Sequence, residues 1–188
     1  MGRPSKAEEK RQIILDAYEA VILRDGYAKA SQRKVAVEAG MNQPMIHHYF
    51  SGGNDMLDAL LQRVVDRYMA ALDSFASSVE EPSLEQAISF TCSEEFHAVS
   101  KQNEVFFCLI GQGGHNQRVY KKMSSVYELF FAQIVEYLEK ANVKNSQKIG
   151  YLIMCLIIGH DWAKKLGFGE LRNQDMFENL MRISSIQS

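Results

Sequence analysis

Between Ser31 and Phe50 the chain reads SQRKVAVEAGMNQPMIHHYF, and no other stretch restricts the possible folds so tightly. Ser31 offers a hydroxyl to an orphan backbone N–H at a helix start. Val35, Ala36 and Ala39 place small apolar groups on one helical face. Gly40 follows, suited to the left-handed backbone that closes a helix. Asn42 repeats the cap signal. Pro44 falls in the first turn of the next helix, where a missing N–H costs little. Ile46 and Phe50 form an inward pair one helical turn apart. Gln32, Arg33, Lys34, Gln43, His47, His48 and Tyr49 are left outside, where they can donate to phosphate or touch base edges. Two short helices, a tight turn and a polar outer face are the anatomy of a helix-turn-helix, whose second helix enters the major groove. A small packed helical hairpin with a polar face satisfies the same pattern.

Charge distribution favours the nucleic-acid reading for this part of the chain only. Residues 1–50 carry 8 Lys/Arg and 6 Asp/Glu, whereas the remainder carries 13 and 17. A mildly basic head on an acidic body fits local contact with DNA, and the net charge of −2 excludes a generally basic coat. The 188 residues suffice for one or two domains with a real core. The three cysteines, Cys92, Cys108 and Cys155, form no C-x-x-C and read as buried thiols. Residues 1–12 are polar, so no signal peptide is expected, and the longest nearly apolar run, Tyr151–Ile158, is far short of the roughly 18–20 residues that span a bilayer. A cytoplasmic protein with no membrane contact is expected.

The hydrophobic period is helical throughout, without strand signal or internal repeat. Met1–Lys6 is a short basic arm whose Arg3 can reach phosphate or a minor groove. Ser5 caps a first helix to about Arg24, buried through Ile13, Ile14, Ala17, Tyr18, Val21 and Ile22, and Asp25-Gly26 stops it. After Ser51–Asn54, with Ser51 or Asn54 as cap, a long helix runs to Ser77–Ser78 on a stripe of Met56, Leu57, Leu60, Leu61, Val64, Tyr68 and Leu72. Ser83 caps a helix to about Val99, followed by a short aromatic helix from Glu104 to about Gly111. Gly111-Gln112-Gly113-Gly114 lacks the Lys-Ser/Thr ending of a phosphate loop and reads as a turn. Further helices are predicted over about Gln117–Ala141, Ser146–Leu166 and Asn173–Ile183. The helix from Ser146 should be buried on most sides. The expected architecture is all-α, with about nine helices, a helix-turn-helix DNA-binding domain at 1–51 and an effector-binding and dimerisation domain at 52–188.

Several residues together resemble the TetR family of bacterial transcriptional regulators over about positions 9–57. They are Ile14-Leu15, Ala17, Gly26-Tyr27, Ser31, Val35-Ala36, Ala39-Gly40-Met41-Asn42, Ile46, Tyr49-Phe50 and Leu57. The stretch Ile158-Gly159-His160-Asp161-Trp162 also looks like the end of the family's penultimate helix. The resemblance implies a homodimeric regulator that binds a palindromic DNA operator and whose body takes a small molecule. A repressor released by a largely apolar effector is the form expected. Three positions depart from the family pattern. Met45 stands where a hydroxyl is common, His47 where Tyr is common, and Gly53 where a Lys often anchors phosphate.

For the head, Gln43, Met45 and His47 are expected near base edges, Pro44 beside them, with Gln43 the best hydrogen-bonding reader. Ser31, Gln32, Arg33, His48 and Tyr49 would position the head on phosphate, with Arg3 reaching beyond. His47 and His48 are adjacent and point about 100° apart, a poor metal pair; no metal or cofactor is implied. For the body, Phe96, Phe106, Phe107, Cys108, Tyr127, Phe131 and Met154 are candidates to line an effector cavity. His160, Asp161 or Trp162 would supply polar handles. The same side chains also serve as ordinary helical core, which would leave a regulator without an effector. His160 beside Asp161 lacks a nucleophile, so a helical enzyme is a remote alternative and no catalytic residue is assigned. The eighth and ninth predicted helices, Ser146–Leu166 and Asn173–Ile183, are expected to form the dimer seam.

Overall fold

The structure, a computed structural model, describes residues 5–79, 83–102, 104–111, 116–168 and 172–185. Among them are ten α-helices, one 3-10 turn and no strand. The helices are α1 (Lys6–Asp25), α2 (Gln32–Glu38), α3 (Gln43–Tyr49), α4 (Gly53–Ser78) and α5 (Leu84–Thr91). They continue with α6 (Glu94–Gln102), α7 (Glu104–Ile110), α8 (Gln117–Lys140), α9 (Ser146–Leu166) and α10 (Asn173–Ser185), and the 3-10 turn is Tyr27–Lys29. The all-α class expected from the sequence is the one observed. The additional helix arises where one was expected from Leu84 to Val99. That segment breaks at Cys92–Ser93, because the Thr91 hydroxyl donates to the Ile88 carbonyl and Ser93 Oγ accepts the Phe96 N–H, starting α6. No helix among the described residues is long and apolar enough to cross a membrane.

The chain divides into two compact units: residues 1–67 with 103–123, and residues 68–102 with 124–188. Compactness thus follows a different line from a functional division at 51/52. The first unit keeps the beginning of α4, all of α7 and the start of α8. Both α4 and α8 run unbroken from the first unit into the second.

In the first unit, Ser5 caps α1 by accepting the Glu8 N–H at 3.1 Å, and Gly26 at φ +83° ends it. The core is made by Ile14, Val21, Ile22, Val35, Ile46, Phe50, Leu57, Leu60 and Leu61, all 1% exposed or less. Each such aliphatic side chain contributes roughly 1.5–3 kcal/mol of burial. Ile13, expected in this face, is 41% exposed: α1 turns Ile14 and Leu15 inward, and Ile13 falls at the rim. Val105 and Leu109 of α7 and Val119 of α8 are fully buried, and α7 packs on α1. Glu19, 8% exposed, joins α1 to α4. It accepts two hydrogen bonds from Arg67, at 2.7 and 3.0 Å, and one from Arg63 at 3.3 Å. A buried carboxylate requires such partners.

The α8 start is tied into the same unit by side-chain bonds. Arg118 pairs with Asp58, and Lys122 donates to Gln62 at 2.5 Å, so two successive turns of α8 meet two of α4. Asn116, just before α8, donates to the Tyr27 hydroxyl at 3.2 Å.

Among the described residues of the second unit are two contiguous apolar clusters. One gathers Ile88 and Cys92 with Leu138, Ile149, Ile153, Ile157, Met176 and Leu180. The other is aromatic: Phe75 stacks on Phe90 at 4.5 Å, and Phe96, Tyr68 and Phe130 continue it edge-on or tilted. Gly150 lets α9 approach α8, since a Cβ there would lie 3.0 Å from Val135 and 3.4 Å from Phe131. The helix from Ser146 is not buried on most sides. Tyr151, Leu152 and Leu156 are 64%, 48% and 40% exposed, with Cys155 exposed between them, all on one face of α9.

Candidate nucleic-acid interface

The helix-turn-helix is fixed by local bonds that the sequence signals foretold. Ser31 Oγ accepts the Lys34 N–H at 3.4 Å and opens α2. Gly40, at φ +63°, closes it: the Gly40 N–H donates to the Val37 carbonyl at 3.1 Å and the Met41 N–H to that of Ala36 at 2.8 Å. This nested pair satisfies the orphan carbonyls of a helix end, and a left-handed residue is what permits it. Asn42 then caps α3, its Oδ1 accepting the Met45 N–H at 2.9 Å, with Pro44 in the first turn.

Burial sets the rotation of α3. Ile46 is wholly enclosed, so Gln43, Pro44, Met45, His47 and His48 stand exposed and Tyr49 half-buried. His48 and Tyr49 meet edge to face at 5.0 Å. On α2, Arg33 is exposed, whereas Gln32 is half-buried with its amide nitrogen 3.9 Å from Met56 sulfur. Arg3 lies outside the described residues. The surface beside α2 is held by ion pairs, Arg24 with Glu38 at 2.7 Å and Lys34 with Asp25 at 2.6 Å. The Lys34 bond above all, opposed by desolvation and helped by the lesser Arg24 bond, holds the Asp25 carboxyl below its ordinary range.

Two participants were missed from the sequence. Arg11 of α1 donates to the Tyr49 carbonyl at the end of α3, and its guanidinium lies 4.1 Å from the centre of the Phe50 ring. Asp55, not Ser51 or Asn54, organises the start of α4: its carboxylate accepts the Ser51 N–H at 2.8 Å and hydroxyl at 3.2 Å. An acid in a first turn was readable as such. The Arg11 contact joins residues 38 apart and had no local signal.

The candidate effector residues fall in both units. Phe106 is buried and Phe107 and Cys108 half-buried on α7, within the first unit. Phe96, Tyr127, Phe131, Met154, His160 and Trp162 belong to the second. There Phe96 is part of the aromatic cluster, and Phe131 packs at Gly150. His160 is 7% exposed, with Nε2 3.4 Å from Asn173 Oδ1, and Asn173 in turn donates to Glu94 at 2.8 Å. Burial first, then the neighbouring Tyr68 and the Asp161 carboxylate, push the Tyr127 hydroxyl up to about 12. Burial pushes the Cys92 thiol up to about 11, which suits an inert core residue.

A three-helix head with a capped, outward-facing second short helix, joined to a larger helical body, defines a helix-turn-helix regulator fold. Residues 14–60 match the family of bacterial regulatory proteins described as the tetR family. The fold is shared over nearly the whole chain by solved structures. A protein from Pseudomonas aeruginosa PAO1 assigned as a transcriptional regulator has TM-score 0.82 at 16% identity, covering 95% of this chain and 90% of its own. A TetR-like transcriptional regulator from Rhodococcus sp. RHA1 has 0.76 at 19%, covering 97% and 96%. A protein from Saccharomonospora viridis assigned as a transcriptional regulator, in complex with choline, has 0.73 at 18%, covering 93% and 95%. No curated protein matches in sequence. The tetR-family match thus covers the helix-turn-helix segment, and over the rest of the chain the likeness to these solved structures is one of fold.

Proposed function

We propose that the protein is a homodimeric repressor that binds a palindromic DNA operator and releases it when a small, largely apolar effector occupies the body. The observation that carries the DNA part is the rotation of α3, with Ile46 buried and Gln43, Met45 and His47 turned outward together. Those side chains reach base edges, while Ser31, Arg33, His48 and Tyr49 position the head on phosphate. The functional head is residues 1–51 and the effector and dimer region 52–188. The seam is formed by α9 and α10: the Tyr151, Leu152 and Leu156 stripe is the kind of apolar face a two-fold partner covers. Two heads then meet half-sites about one DNA turn apart or slightly more.

The effector part rests on the aromatic groups gathered in the second unit, Tyr68, Phe96 and Phe130 among them. It also rests on the choline held by a structure of this fold. An effector that prefers a body state with the wrong head spacing lowers operator affinity, by no more than its differential affinity for the two states. α4 carries the change, and α8, laced to it by Arg118–Asp58 and Lys122–Gln62, moves with it. The ring-on-ring packing of Phe75 and Phe90 favours a second reading, in which the body is only a dimer scaffold.

Selection of bound duplexes from a random pool, followed by anisotropy titration, tests the first part. One enriched palindrome is expected, and enrichment of nothing overturns DNA reading. Titrating small molecules, choline included, into the operator complex tests the second. Binding that changes neither operator affinity nor head separation leaves the scaffold reading in its place.

A further inference from the structure

We infer that Arg11 is a positioning residue for DNA reading, setting the pose of α3 from its C-terminal end without touching DNA itself; this rests on the DNA reading above. The recognition helix has only seven residues, so its two ends determine its direction. The first end is held by Asn42. At the other end, Tyr49 presents a carbonyl in the last turn, and Arg11 of α1 donates to it. The same guanidinium lies over the Phe50 ring at 4.1 Å, and Phe50 is 1% exposed, anchored in the core. Arg11 therefore joins three things at one point: the body of α1, the negative end of the α3 dipole and the residue that ends α3.

Only a planar guanidinium fits this arrangement. It can lie flat on a ring and project an N–H in its own plane toward the carbonyl. A Lys ammonium has no planar face to lay on the ring while an N–H in the same plane reaches the carbonyl. The competing role for a basic side chain in this head is direct phosphate contact, which needs charge and tolerates Lys.

Arg11→Lys and Arg11→Met in the full chain separate the two roles. Affinities are measured for the selected operator and for random duplex over a salt series, below the thermal midpoint of each variant. Both variants are expected to lose about tenfold on the operator, with random-duplex affinity and salt slope unchanged. Full rescue by Lys overturns the proposal. So does an equal loss on both DNAs with the slope for Arg11→Met shallower by about one, the signature of a lost phosphate contact. If Arg11→Met fails to fold, the Lys variant alone decides, since rescue or its absence is still read. A wild type with no preference for any duplex removes the DNA reading, and Arg11's role with it.

Discussion

Gln43 is exposed on the first turn of α3, three positions ahead of the Ile46 that fixes the helix's rotation. An amide there can pair with two groups on one base edge. Gln43→Ala should weaken operator binding by roughly 1–3 kcal/mol and relax the preference for one base pair. A titration showing unchanged affinity and preference would remove Gln43 from the interface. Asp25 gives a residue-scale prediction of a different kind. Its carboxyl is held below the ordinary 3.8, first by Lys34 and then by Arg24. A lowered folded value means the contact's stabilisation is complete above about 3.8 and is lost as pH falls through the folded value. Asp25→Asn should therefore melt below wild type near neutrality, and the two should converge on acidification past that point. A constant gap in melting temperature would show that the pair does not act through this titration. The caps at Ser31 and Asn42 were legible because they act within three residues. Arg11 was not, because nothing in its neighbourhood along the chain announces Tyr49 or Phe50.

Among the elements, α1 and α4 are joined by a carboxylate that could not be assigned from periodicity. Glu19 lies on the apolar side of α1 and reads locally as a misplaced charge. Its justification is on α4, in Arg63 and Arg67, more than forty positions away. Glu19→Ala should cost on the order of 2 kcal/mol in urea unfolding, since it withdraws the shared acceptor from two part-buried guanidiniums. A loss of only a few tenths would make the clamp an ordinary surface pair. The broken α5–α6 segment is a second case. Leu84 to Val99 has apolar spacing that a single helix satisfies, and the break depends on side-chain hydroxyls competing for backbone groups. Hydrophobic spacing shows which face is inward, and it is silent on where such a competition is won.

At the scale of the whole molecule, the α9 stripe makes the most direct prediction. Leu156→Asp should leave the fold intact and shift a dimer toward monomer in sedimentation, with loss of tight operator binding. Cys155, exposed on the same face, should then react with a thiol reagent faster than in wild type, while buried Cys92 stays slow. A wild-type monomer with fully reactive Cys155 would place the seam elsewhere. The all-helical class and the helix-turn-helix were plain from sequence because they rest on caps, breakers and period. The candidate effector residues are not separable from core by sequence, because Phe96, Tyr127 and Phe131 are the same residue types whichever task they serve. Val105 and Leu109, which lie within the expected effector region at 52–188, are buried in the first compact unit.

That last placement has a practical consequence for anyone dissecting the protein. Residues 103–123 return to the unit built by residues 1–67, so the compact unit that carries the helix-turn-helix is discontinuous along the polypeptide. Cutting the chain after the recognition helix, or anywhere along α4, would strip away Val105, Leu109 and Val119 and leave their apolar neighbours facing water. A chimera that transplants this unit onto another body should therefore need three crossover points, one within α4, one between α6 and α7 and one within α8. The segment between residues 103 and 123 must travel with it.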